Sequence, residues 1–118
     1  MKHRHYRIRK VRLSKVTLCG QQAILRKAAK RRGLHIKAVP SLAKTPYRAM
    51  NPRAARELNI RWPKHTVGFD PKVKMPKSER LMDERHEVIE FDRMGQGHHY
   101  KAAHRYANRK QRDVRAVK

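Results

Sequence analysis

Apolar residues in the first part of the chain pair at spacing two. Tyr6 and Ile8, Val11 and Leu13, and Val16 and Leu18 form three such pairs, each shifted by one extra residue. Spacing two predicts extended backbone, and the shifts predict bulges or bends. Residues 20–32 change period: Ala23, Ile24, Ala28 and Ala29 make a narrow helical face, and Gly33 with Leu34 supplies a left-handed stop. Residues 34–39 alternate and predict a short strand, and Pro40 to Pro46 reads as a linker. Asn51-Pro52 is a helix start, with Asn as cap and Pro at the first helical position; Asn59 can close that short helix. Residues 65–69 predict a strand ended by Asp70-Pro71. Ser78 is a candidate cap for the strongest helix, Glu79 to about Gln96, with Leu81, Met82, Val88 and Ile89 on one face and Gly97 beyond its end. A last helix spans about His99 to Asp113, where Tyr100, Ala103, His104 and Ala107 follow i, i+3, i+4, i+7. These elements predict an α+β fold. A small domain at 46–118 ends in a two-helix hairpin, and an extended basic arm with a short basic helix precedes it at 1–45.

Charge changes this picture. The chain of 118 residues has 32 Lys and Arg against nine Asp and Glu, a net charge of +23. The first 56 residues contain no acid, residues 57–92 hold eight of the nine, and Asp113 is the last. Such segregation fits a surface that faces phosphate, because unpaired cations repel one another until a polyanion neutralises them. The residues expected to contact the backbone are Lys2, Arg4, Arg7, Arg9, Lys10, Arg12 and Lys15 on the arm. Arg26, Lys27, Lys30, Arg31 and Arg32 on the first helix follow, with Arg105, Arg109 and Arg112 on the last. Tyr6 and His5 could stack on bases, but aromatic residues make up only 6% of the chain, too few for a stacking platform. Trp62 reads as core.

Other classes fall away. The longest apolar run is far short of a membrane span. The charged start of the chain lacks the apolar stretch of a secretory leader, which leads to the expectation of a cytoplasmic protein. A single cysteine, Cys19, excludes a disulfide framework and any multi-cysteine zinc site. There is no Gly-rich phosphate loop and no G-x-S-x-G elbow.

One constellation could carry chemistry. His86 and Glu90 lie one helical turn apart, and a hairpin folding at Gly97 would bring His104 against them. Two histidines and a carboxylate are a feasible zinc ligand set, and Glu87 would then stand where the base stands in H-E-x-x-H hydrolases. The motif here is H-E-x-x-E. The leading expectation is therefore a hydrogen-bonded cluster of His86, Glu90 and His104 that pins the hairpin without a cofactor. Zinc and a small hydrolase are the alternative.

Residues 46 to about 112 resemble a group of small, poorly characterised proteins associated with archaea and their mobile elements. The matching positions are Ala54, Ala55, Leu58 and Ile60, then Pro63, Thr66, Val67, Phe69 and Asp70. His86, Glu87, Glu90, Phe91, Gly97, Tyr100, Ala103, His104 and Ala107 complete them. The resemblance implies a compact α+β domain in which His86, Glu90, Tyr100 and His104 cluster, and it implies no reaction. The overall build, a small domain with a basic extension, is similar to that of ribosomal proteins. The expected function is non-enzymatic binding of nucleic acid, ribosomal RNA before DNA, among the neighbouring proteins of a ribonucleoprotein assembly. DNA packaging in an archaeon or virus is the alternative, and an acidic assembly chaperone could be a further partner.

Overall fold

A computed structural model describes residues 16–118. Four α-helices, three short strands and two 3-10 turns form an α+β domain among the described residues. The apolar pairs at 6–13 and the arm cations Lys2 to Lys15 lie outside them.

Helix α1 spans Leu18–Arg31 and begins two residues earlier than its apolar face predicts, because the Thr17 hydroxyl accepts from Gly20 N at 3.0 Å. Its end follows the predicted pattern. Gly33 adopts φ 71°, and Leu34 N donates back to Ala29 O at 2.9 Å. Leu34 is buried, which turns the chain into strand β1, His35–Ala38. Pro40–Lys44 is a 3-10 turn rather than a plain linker, since Leu42 sinks into the core. Strand β2, Ala49–Met50, escapes periodicity because two residues show no period. Helix α2 spans Pro52–Glu57 under the Asn51 cap, and Asn59 closes it at φ 57°. Strand β3, Thr66–Phe69, is central in the order β1-β3-β2, parallel to β1 and antiparallel to β2. Helix α3, Lys77–Gly95, begins two residues earlier than a Ser78 cap predicts: Pro76 takes the cap position with extended backbone, and no side chain caps the helix. Helix α4, Tyr100–Lys110, follows a turn in which Gly97 takes φ 99°. It ends three residues short of Asp113, which instead caps the 3-10 turn Val114–Val117.

Two apolar clusters hold these elements. The larger joins Leu25, Ala28 and Ala29 of α1 to Leu34, Val67, Leu81, Val88, Ile89, Ala107 and Val117. The smaller gathers Val39, Leu42, Met50, Ala54 and Ala55, with Trp62 packed against it. Trp62, expected in the core, is half-buried and packs against that cluster, and its indole N–H donates to Thr66 O at 2.7 Å. Helix α1 and strand β1, grouped by charge with the arm at 1–45, share the larger core with the remainder. A boundary at residue 45 therefore does not separate two packing units; charge and packing divide the chain at different places.

Arg32 shows the same divergence. Grouped by sequence with the phosphate ligands, it instead ties three elements together. Nε and one terminal nitrogen grip Asp92 of α3 at 2.7 and 2.8 Å, and the guanidinium also donates to Ala28 O at 2.7 Å and Val117 O at 2.9 Å. Four of its five N–H donors are spent inside the fold. Bidentate charge-assisted bonds of this kind are the strong ones.

Two predictions follow from the packing. Asp92→Ala should lower stability by about 2 kcal/mol, because it removes a charged partner and strands a half-buried guanidinium; urea denaturation should show a lower midpoint with an unchanged slope. Glu84 is buried on α3, and burial raises its pKa from 4.5 to about 7, although Arg80 and Arg26 pull it down. A carboxyl raised in the folded state ionises first in the unfolded chain. Stability should therefore fall as pH rises from 4.5 to about 7, and this decline should be weaker in Glu84→Gln when unfolding is followed across that range.

Candidate functional site

Seven consecutive residues of α3, Glu84 to Glu90, are buried. Seven residues make two turns, so every face of the helix is covered there. One face meets α4 across the hairpin, as the spacing of His86, Tyr100, Ala103, His104 and Ala107 predicts. Ala103 and Ala107 are fully buried and let the two helices approach closely.

Here the predicted cluster forms. His86 Nε2 lies 3.1 Å from Glu90 Oε2, His104 Nδ1 lies 2.9 Å from the same oxygen, and the two nitrogens are 3.2 Å apart. The imidazole rings meet edge to face, with centroids 4.8 Å apart. The Tyr100 ring tilts over His104 at 5.5 Å. Glu90 is 1% exposed and His86 7%, whereas the side chain of His104 is 43% exposed. The cluster thus runs from the core to the surface along α4.

Two further residues complete it. Gln111, just after α4, accepts from His86 Nδ1 at 2.8 Å. Asn51 donates through Nδ2 to Glu87 Oε1 at 3.1 Å and to Glu90 Oε1 at 3.0 Å, while its Oδ1 caps α2 by accepting from Ala54 N at 2.9 Å. The sequence marks Asn51 as a cap, and nothing in it marks the second duty. Gln111 lies outside the apolar period and carries no signal. Arg85 reinforces the joint, donating to Gln111 O at 2.6 Å and to Gln21 Oε1 of α1 at 3.1 Å.

The electrostatics are those of a crowded interior. Burial lifts the Glu87 carboxyl to about 8, the neighbouring Glu90 adds to the rise, and His86 and Asn51 offset part of it. Burial and the adjacent Glu90 thus both favour the protonated form of Glu87, because two neighbouring negative charges in the interior are costly. For His86, burial lowers the pKa, but the bond to Glu90, the Glu87 and Glu90 charges and the bond to Gln111 outweigh it, and the net direction is upward. Burial, then the nearby Glu90, raises the Tyr100 phenol. A cavity of about 350 Å³ opens beside these groups, lined among others by Tyr47, Met50, His86, Glu87, Glu90, Tyr100 and His104.

The outer surface has the opposite character. Among the described residues, 21 of the 25 Lys and Arg are exposed, whereas only Glu57 and Glu79 of the nine acids are. Asp70, Glu84, Glu87 and Glu90 point inward, and Asp83 and Asp92 are held by Arg48 and Arg32. The middle of the chain, near neutral by sequence, thus presents mostly Arg61, Lys64, Lys72, Lys74 and Lys77 to solvent. Arg26, Lys27, Lys30 and Arg31 of α1 are exposed, as are Arg105, Arg109 and Arg112. Arg109 also leans toward the Tyr106 ring at 5.7 Å, on which Arg93 stacks at 4.0 Å. No helix among the described residues is long and apolar enough to cross a membrane.

Comparison with known proteins finds no matching family model, curated protein or solved structure.

Proposed function

We propose that this chain binds nucleic acid by neutralising its phosphate backbone, with folded RNA, and ribosomal RNA first, as the partner. The observation that carries the reading is the sorting of charge in three dimensions: seven of the nine acids lie inside or in ion pairs, and 21 cations face solvent. A surface of that kind repels itself in isolation and gains free energy when it releases the counterions of a polyanion. Sequence readout is not needed for this, since phosphate contacts set affinity and position rather than base choice. The acid-free first 56 residues, of which 16–56 are built into the folded domain, supply a long run of cations that suits an irregular RNA surface. The ligands assigned on α1 are Arg26, Lys27, Lys30 and Arg31; Arg32 is withdrawn because four of its five donors are occupied. Arg105, Arg109 and Arg112 and the seven cations of the arm join them, and neighbouring proteins of the same assembly would cover the remaining surface.

Binding to a structured ribosomal RNA fragment and to duplex DNA of equal charge, measured across a salt series, tests this. With six to ten phosphates engaged, affinity should drop by about 10³–10⁵ between 50 and 200 mM salt. A flat response would sink the reading, and equal or tighter binding to DNA would move the partner to DNA packaging. The fourfold change of Arg26, Lys27, Lys30 and Arg31 to Gln should reduce the salt slope by about three to four with the fold intact. In cells, the protein should travel with ribosomal particles on a sucrose gradient and leave them after RNase treatment; a position unmoved by RNase would contradict it.

A further inference from the structure

We propose that His86 Nε2, Glu90 Oε2 and His104 Nδ1 bind one divalent first-row transition-metal ion, zinc foremost, at the edge of the 350 Å³ cavity. The proposal is independent of nucleic-acid binding.

Three observations carry it. The first is the size of the triangle. Zinc bonds of about 2.0–2.2 Å place ligand atoms about 2.8–3.6 Å apart over the range from octahedral to tetrahedral angles. The three edges here are 2.9, 3.1 and 3.2 Å. All three donor atoms therefore stand where one ion could touch each of them without rearrangement of either helix.

The second is the count of protons. Held by protons alone, Glu90 Oε2 would accept from both imidazoles. His86 already uses Nδ1–H toward Gln111, so it would have to be an imidazolium. The remaining edge would then set the N–H of one ring against the N–H of the other at 3.2 Å. At most two of the three edges can be hydrogen bonds. A cation at the centre replaces both protons and uses all three lone pairs.

The third is the outer layer. A metal-bound histidine commonly donates its other N–H to a fixed acceptor, and a metal-bound carboxylate is itself hydrogen-bonded. Gln111 holds His86 through Nδ1, and Asn51 holds the second oxygen of Glu90 at 3.0 Å. Both ligands on α3 are thus fixed in the orientation that points Nε2 and Oε2 at His104. Two imidazoles with one carboxylate favour zinc-class ions over magnesium or calcium, which prefer oxygen alone. Three protein ligands leave at least one coordination position, and it would be filled from the cavity by water or by an oxygen of a small ligand.

The test is a titration of the full chain, freed of nucleic acid and stripped by chelator, with Co²⁺ read by visible absorption and Zn²⁺ read by metal analysis after dialysis. One equivalent of either ion should bind, with ligand-field bands for Co²⁺, and Mg²⁺ should not compete. His104 is partly exposed, so His104→Ala should keep the native circular dichroism and weaken Co²⁺ binding at least tenfold. His98→Gln/His99→Gln, which alters the neighbouring turn, should bind as the native chain does. Should His104→Ala fail to fold, ring-nitrogen NMR of the native chain decides: Zn²⁺ must shift His86 and His104 together before the other histidines. Equal affinity in the native and His104→Ala chains, loss of binding in the turn variant, or shifts confined to other histidines would overturn the proposal.

Discussion

Five of the seven buried residues between Glu84 and Glu90 can ionise, and only Val88 and Ile89 are apolar. A helix buried on all sides usually is apolar on all sides. Here each neighbouring element must instead present a polar atom at the right height. Helix α1 offers Gln21 to Arg85, the cap of α2 offers Asn51 to two carboxylates, and the end of α4 offers Gln111 to both Arg85 and His86. Removing one partner would leave a buried polar group unpaired, at a cost of about 1–3 kcal/mol, more if it is charged. The requirement fixes register as well as affinity between elements. A slide of α4 along α3 would break the contacts that Gln111 and His104 make with Arg85, His86 and Glu90.

The same demand explains the surface. With most of the acids drawn inward or into ion pairs, few are left to temper the cations outside. Core and exterior are therefore two sides of one allocation of charge. That allocation is invisible in the net value of +23, which counts a buried Glu90 and an exposed Glu79 alike.

Much of the fold is legible in the residues themselves. Gly33 and Asn59 take the left-handed turns their positions suggest, Asn51-Pro52 opens a helix, and the turn at Gly97 folds α4 back so that His104 meets His86. What escapes does so for physical reasons. Strand β2 is defined by its pairing with β3 and has too few residues for a pattern. The start of α3 falls just after Pro76, so that Ser78 lies inside the first turn and offers no cap. Gln111 is a polar residue whose meaning comes only from what faces it. Arg32 looks like its neighbours Lys30 and Arg31 until Asp92, sixty residues away, is brought beside it.

Gly68 lies at the centre of β3, where a Cβ would fall 2.5 Å from Val39 and 2.8 Å from the Trp62 ring. The indole cannot retreat freely, because its N–H is committed to Thr66 O. Trp62 is the sole tryptophan of the chain, so its emission belongs entirely to the smaller apolar cluster and to the strand it covers. The protein thereby carries an optical gauge of its sheet, one that responds to loosening of that layer.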